Sequence, residues 1–312
     1  MPNSFLQLFA DLLPVARSAP DMPACADWWQ MYRQHSPRHD LNTILMAARG
    51  GFLADRAGYA FMAGYQAALR RLVPALPPQR LVALCVTETG GQHPRDLRAH
   101  LAPHGSEYHL GGRKTFVTGA QEAEVFLVVA VEGVIEAAHK HLVLVRLERP
   151  AAGLTVTMNP PLPFIPEISH GELHLEAVRV TEADVLEGDG YTRYVKPFRT
   201  LEDVHVLAAL AGYLCRLARL YGWPTAQQED WLALLVLLNT LAHSETVTTP
   251  GVHLALAGAL RQFGHLLAGV DWSTVPAAVA QRWQRDRPLL DVAAGLRQQR
   301  TQSAWQALTP PG

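Results

Sequence analysis

Apolar residues follow two rhythms along this chain, and the rhythms come in blocks. Up to residue 79 they recur at helical spacing: Phe5, Leu8, Phe9, Leu12 and Leu13, then Ala60, Met62, Tyr65, Ala68 and Leu69. One face of an α-helix repeats that way. The segment LVPALPPQR (72–80) ends the last of these helices with three prolines and marks a boundary.

From 80 to 187 the rhythm shortens. RLVALCVTE, EYHLGGRKTFVTG, AEVFLVVAVEG, HLVLVRLER, GLTVTMN and GELHLEAVRVTE are short and rich in β-branched residues, and Gly, Pro or Asn bound them. They predict strands of an antiparallel sheet or barrel, with Gly111-Gly112 as a hairpin turn. From 188 the helical period returns in one long helix over 201–222. Further helices are expected at 226–242, 251–269, 274–286 and 289–307. Helices, then strands, then helices predict an α+β chain of three domains, 1–79, 80–187 and 188–312. A dinucleotide fold of the Rossmann type is excluded, because no βαβ alternation and no GxGxxG after a first strand occurs.

Composition changes little in this picture. The 312 residues are 49% apolar and 18% charged, with a net charge of −1, which gives no basic surface for nucleic acid or anionic membrane. Cys25, Cys85 and Cys215 are odd in number, widely spaced and without a CxxC pair, which argues against a disulfide framework or zinc site and for a reducing compartment. The start, MPNSFLQLFADLLPVAR, lacks a basic n-region and reads as a helix, and no apolar run is long enough to span a membrane. The cytoplasm is the expected location.

The chemistry gathers in the middle block. LCVTETGGQHPRDL (84–97) is an apolar strand that ends on a hydroxyl, an acid and a glycine turn. Such a strand end suits a flat ligand with a polar edge. LCVTETGG resembles the V-T-E-P-G-x-G strand of the acyl-CoA dehydrogenases. EYHLGGRKTFVTGAQEAEVFLVVA resembles their Y-x-L-N-G-x-K-x-[FW]-I-T-N-G and the strand after it. GELHLEAVRVTEADVLEGDGY resembles their F-x-D-V-x-V-P strand and the glycine pair that opens the next helix. The three matches come in the family's order over roughly 80–213, and the block order is also the family's: N-terminal helical domain, middle β-domain, C-terminal helical bundle.

The resemblance implies a flavoprotein that desaturates an acyl-CoA or acyl-carrier thioester. A carboxylate takes the α-proton and FAD takes the β-hydride, with an electron-transferring flavoprotein as possible acceptor and a homo-oligomeric assembly. By resemblance, Thr87 and Thr118 meet the isoalloxazine ring, Phe116 packs on it, and the backbone of Cys85 and Val86 lines its edge. The plain alternative makes Phe116 a core residue and both threonines strand caps. No metal is implied.

The pattern breaks at the base. Most of the family carries it in a Y-E-G-T stretch, where this chain has Ala293-Ala294-Gly295, so Ala294 stands at that position; Asp286 aligns with the acid of the preceding R-D-A-R-like segment. A minority puts the base on the long helix, ten residues before a Gly. Gly212 and Glu202 have that spacing. The alternative reads Thr200 as an N-cap, Asp203 as the closing residue of a capping box and Glu202 as a first-turn acid. His205, one turn on, shares the side of Glu202.

Ser-Asp is missing after Gly90-Gly91, with Gln92 and His93 as possible replacements. The R-x-x-F-G and Q-x-x-G-G-x-G segments that reach FAD have no counterpart. His139-Lys140-His141 could pair two imidazoles on a metal or flank a solvated hairpin. His35 and His39 read as surface residues, and RQHSPRHD (33–40) and QRWQRDR (281–287) are short basic patches. Two readings stand: a dehydrogenase with Glu202 as base, or a non-dehydrogenating relative that keeps the fold for binding or assembly.

Overall fold

A computed structural model of the chain describes residues 7, 10, 12–15, 21–35, 42–132 and 140–309. Phe5, Leu8, Phe9, His39, His139 and most of the 33–40 patch lie outside the described residues. The chain divides into two compact units. One contains the described parts of Met1–Ala75 and Arg199–Gly312 together with Pro163–Ile165; the other contains Leu76–Leu162 and Pro166–Phe198.

The helical unit is built from α1 (Cys25–His35), α2 (Thr43–Leu53), α3 (Ala57–Leu72), α4 (Lys196–Leu220, from Arg199 on), α5 (Thr225–Ala242), α6 (Pro250–Ala268), α7 (Ala277–Asp286) and α8 (Ala294–Leu308). Asn42 caps α2, accepting from the amides of Ile44 and Leu45 at 3.0 and 3.1 Å. Helix α3 stops at Leu72, two residues before Pro74, as the proline-rich segment predicts. Trp28 stacks between Tyr32 and Tyr59, with ring centroids at 5.3 and 5.6 Å. Small residues let α4 approach α2 and α3. A Cβ on Gly51 would lie 1.7 Å from the Ala209 carbonyl oxygen, and one on Gly212 would lie 2.1 Å from that of Ala48. No described helix is long and apolar enough to cross a membrane.

The β unit is an eight-stranded sheet: β1 (Val82–Cys85), β2 (His100–His104), β3 (Glu107–Thr118), β4 (Val125–Glu132), β5 (Leu142–Glu148), β6 (Leu154–Met158), β7 (His170–Val180) and β8 (Val185–Leu186). The order is β6-β7-β3-β2-β4-β5-β8, with β1 joined to β4. The α+β class holds, and the sheet is mixed: β1 and β2 both run parallel to β4, while the other pairings are antiparallel. Its core is the inward set of the alternating strands, among them Leu110, Val117, Phe126, Val128, Val145 and Leu173.

Three details differ from the sequence reading. Strand β2 is not expected from HLAPH, because Pro103 argues against a strand. Strand β8 has only two residues, too few to show a period. Gly111-Gly112 is no hairpin turn but lies inside β3, where the pairing with β7 shifts register. Gly112 has φ +133°, and a Cβ there would lie 2.6 Å from Ala99 Cα, so it permits a bulge and a close strand approach. The real turn is Gly105-Ser106, closed by the pair His104–Glu107, with Gly105 at φ +62°.

Candidate active site

Parity along β3 places the first cluster. Lys114 and Val117 both point inward although they are three positions apart, because the register against β7 shifts between them. Thr115 and Phe116 form the extra step. The Thr115 amide leaves the β7 ladder and donates to the Thr87 carbonyl at 2.9 Å, which ties the end of β1 to the bulge. Phe116 is thereby turned out and is 44% exposed, so it is not a core residue of the strand. Its ring lies 4.7 Å from that of His170, tilted by 32°.

Thr118 pairs with His170 across the sheet. Thr87 and Thr118 are half-buried, and neither hydroxyl has a hydrogen-bond partner among the described residues. Met158, 41% exposed, pairs with Gly171 on the neighbouring strand. The structure thus brings Phe116 and Thr118 of β3 to His170 of β7, and ties the Thr87 main chain to β3 one residue before Phe116. His170 is 5% exposed, and its Nδ1 is buried without a hydrogen bond of good geometry. Burial holds its pKa below the ordinary range, opposed by the Ile168 backbone.

Cys85 and Val86 are more constrained. The Cys85 thiol is fully buried and leans on the Ala83 carbonyl at 3.8 Å; burial pushes its pKa up to about 12. The Val86 carbonyl accepts from Lys114 Nζ at 3.3 Å. Any contribution of these two to a ligand edge therefore comes from the main chain, and the Val86 carbonyl is already engaged.

Beneath the loop lies a brace that the motif reading missed. Glu88 accepts from Lys114 Nζ at 2.7 Å, from the Ala99 amide at 3.0 Å and from the Arg98 amide at 2.6 Å. Lys114 has no exposed surface; burial lowers its pKa, and Glu88 opposes that. A buried pair is tolerable only when further hydrogen bonds support it, and here Glu88 takes two backbone amides and Lys114 a second acceptor in the Val86 carbonyl. The glycine turn closes on the same residue: Glu88 and Gly91 exchange backbone hydrogen bonds at 2.9 and 2.8 Å, with Gly91 at φ +117°. Gln92 and His93 are exposed, and His93 Nδ1 accepts from the Arg95 amide to cap a single 3-10 turn. Lys140 fastens the far side of the loop through the carbonyls of Arg95 and Leu97. The scarcity of lysine was the available signal: two of three lysines serve this loop.

Glu202 lies in the helical unit. The reading of Thr200 as an N-cap is corrected. Helix α4 begins at Lys196 and continues a π-helical turn, Gly190–Val195, capped by Asp189, whose Oδ1 accepts from the Thr192 amide at 2.7 Å. Because that cap lies upstream, Glu202 is a mid-helix residue, beyond the first turn where the helix dipole favours an acid. It is partly buried and has no hydrogen-bond or ion-pair partner among the described residues. Burial, and next the Asp203 charge, push its pKa up to about 8, with Arg300 and Arg297 opposing.

Asp203 closes no capping box. It pairs with Arg297 at 3.1 Å and with Arg300. His205 shares nothing with Glu202: it is buried, its Nδ1 lies 2.7 Å from the Leu201 carbonyl, and its Nε2 lies 2.8 Å from Thr43 Oγ1. A carbonyl only accepts, so Nδ1 carries the proton and Nε2 accepts from Thr43. Burial lowers the His205 pKa to about 4, opposed by the Leu201 bond. Ala294 is exposed at the first residue of α8.

No family model matches the sequence, and no curated protein matches it. Solved structures do match over nearly the whole chain. The prolyl acyl carrier protein oxidase AnaB superposes with a TM-score of 0.69 at 15% identity, covering 97% of this chain and 98% of its own. PigA with FAD and proline gives 0.70 at 15%, covering 99% and 98%. Butyryl-CoA dehydrogenase from Megasphaera elsdenii gives 0.67 at 16%, covering 98% of each chain. This chain has the acyl-CoA dehydrogenase fold.

That fold accounts for the block order and for the three sequence matches, and at such identity it carries the architecture alone. The remaining sequence candidates do not assemble into a site. His141 pairs with Glu132 at 2.8 Å on an exposed flank. Among the described residues, no group of three or more His, Cys, Asp or Glu is placed to hold a metal ion. In the basic patch, Arg282 bonds Asp55, and Arg285 bonds Asp286. Asp286 is buried and accepts from the Ile165 amide at 2.7 Å, a structural anchor within the helical unit.

Proposed function

We propose that this protein is an FAD-dependent oxidoreductase of the acyl-CoA dehydrogenase type, acting on an acyl-CoA or acyl-carrier thioester. The observation that carries the reading is the cluster on β1, β3 and β7. An aromatic ring is turned outward by a bulge, with one half-buried, unpartnered threonine two residues on and another on the segment tied to the bulge. Apolar ring faces and free hydroxyls at strand ends are the chemistry that a flavin face and edge require. Phe116 would lie against the ring, Thr87 and Thr118 would supply hydrogen bonds, and the main chain at Cys85 and Val86 would line the edge. The residues fit the cofactor, and bound FAD would supply the hydride acceptor.

The chain's own contribution to the chemistry is the proton. Glu202 is an unpaired, partly buried carboxyl whose pKa stands near that of a useful base at neutral pH. Its deprotonated form would accept the α-proton of the thioester. Ala294 has no group to do so. An electron-transferring flavoprotein is the proposed acceptor. A homo-oligomer is the proposed assembly, and a reducing cytoplasm, consistent with three buried free thiols, is the proposed location.

The visible spectrum of the purified protein tests the reading. Flavin bands, or uptake of added FAD, are expected. Acyl thioesters should then bleach the flavin anaerobically, and Glu202→Gln should slow the bleaching by about 10²-fold or more. A protein that takes up no FAD would leave the binding or assembly role as the better reading. Unslowed bleaching in Glu202→Gln would place the base elsewhere.

A further inference from the structure

Helix α8 brings two cations to the neighbourhood of Glu202, and neither pairs with it. Arg297 Nη1 donates to Asp203 Oδ1 at 3.1 Å, and Arg300 Nη2 donates to Asp203 Oδ2. Arg300 Nη1 also donates to Thr200 Oγ1 at 3.1 Å, and that hydroxyl lies 3.3 Å from His253 Nε2 on α6. Arg297 is further tied to the Leu290 carbonyl. The Asp203 side chain is 9% exposed and those of Arg297 and Arg300 are 18% and 20%, so this is a partly desolvated network and not a surface pair. One guanidinium, Arg300, holds both Thr200, two residues before Glu202, and Asp203, the residue after it.

A carboxylate beside a free guanidinium normally forms a charge-assisted pair and loses basicity. Two guanidinium groups stand here beside two adjacent carboxyls, and one carboxyl takes both. We propose that Asp203, clamped by Arg297 and Arg300, is a positioning residue that keeps Glu202 unpaired and so preserves it as a base. The proposal rests on the reading of Glu202 as base, but the clamp can be tested without it. The charged and titratable groups concerned are Asp203 on α4, Arg297 and Arg300 on α8, and His253 on α6.

Removing the Asp203 charge frees both arginines from their present partner, and Glu202, the adjacent carboxyl in the chain, already feels their charge. Neutralising one arginine strengthens the effect of Asp203 on Glu202. The two changes therefore move Glu202 in opposite directions, a signature that general loss of packing would not produce. Carbon NMR of protein labelled at the glutamate carboxyl follows this directly, using the resonance missing from Glu202→Gln.

In Asp203→Asn the Glu202 titration should fall by about one pH unit or more. In Arg300→Gln it should rise, and in Asp203→Glu, which keeps the clamp, it should stay close to the parent. If Asp203→Asn does not fold, the rise in Arg300→Gln still decides. A titration unmoved in the folded variants, or moved the same way by both, overturns the proposal. In the flavin-loaded protein the pH limb of anaerobic bleaching should move with the carboxyl. Carboxyl shifts as expected, without bleaching in any variant, would keep the clamp and sink the dehydrogenase reading.

Discussion

At the scale of single residues, two ionisable sites, Glu202 partly buried and His205 fully buried, make opposite demands on pH. Glu202 has a folded pKa near 8, above that of a free carboxyl, so the unfolded chain releases this proton first. Its contribution to stability is full below about pH 4.3 and is lost as pH rises toward 8. His205 has a folded pKa near 4, below that of a free imidazole. Its contribution is present above about pH 6.5 and is lost as pH falls toward 4. Between about pH 4.3 and 6.5 the two slopes oppose each other, and above that window Glu202 acts alone. Glu202→Gln should therefore gain stability relative to the parent as pH rises from 5 to 8, by at most about 1.4 kcal/mol per pH unit. Urea midpoints across that range measure it, and a constant difference would refute the buried, unpaired carboxyl.

The Glu88–Lys114 pair makes a second residue-scale case. Glu88→Gln or Lys114→Met alone should cost about 3–5 kcal/mol, because each leaves a buried partner unsatisfied. The double variant should cost clearly less than the sum of the two, since the sites couple directly. Additive losses in a denaturation cycle would show that the pair is not the brace of the loop.

At the scale of elements, the decisive contacts are places where side chains are missing. Helices α2 and α4 meet backbone to backbone at Gly51 and Gly212. Gly212→Ala should destabilise the protein by about 1–3 kcal/mol even though alanine is the better helix former, because the added methyl meets a carbonyl and not a flexible side chain. A neutral or stabilising result in a urea melt would mean that the helices can separate at little cost. Element type was legible in advance: every strand with a clear alternation is found, and so is each long helical period that falls within the described residues. The β3 bulge was not legible, because Gly111-Gly112 suits a turn and a bulge equally well, and the register against β7 decides between them. The start of α4 was not legible either, since Thr200-Leu201-Glu202-Asp203 has the composition of a cap but lies inside a helix that Asp189 had already started.

At the scale of the whole molecule, ligand linkage provides the test. If the β unit holds FAD, saturating cofactor must stabilise the native chain, by about 2.7 kcal/mol at one hundred times its dissociation constant. Phe116→Ala should weaken binding by about 0.5–1.5 kcal/mol, up to roughly tenfold, while leaving the melting of the FAD-free protein almost unchanged, because the ring is largely exposed. Fluorescence titration and thermal melts with and without FAD would show both effects. A large loss of FAD-free stability would instead make Phe116 a packing residue.

The sequence by itself determined the α+β class, the order of the blocks and the chemical types at the strand ends. Apolar period and turn residues are local properties, and they are written along the chain. Tertiary structure decided which side chains are free. Phe116 is turned outward by a register shift, Val86 is engaged by a lysine 28 residues away, and Asp203 is claimed by arginines 94 and 97 residues away, leaving Glu202 unpaired. Availability for chemistry depends on such long-range partners, and no local pattern reports them.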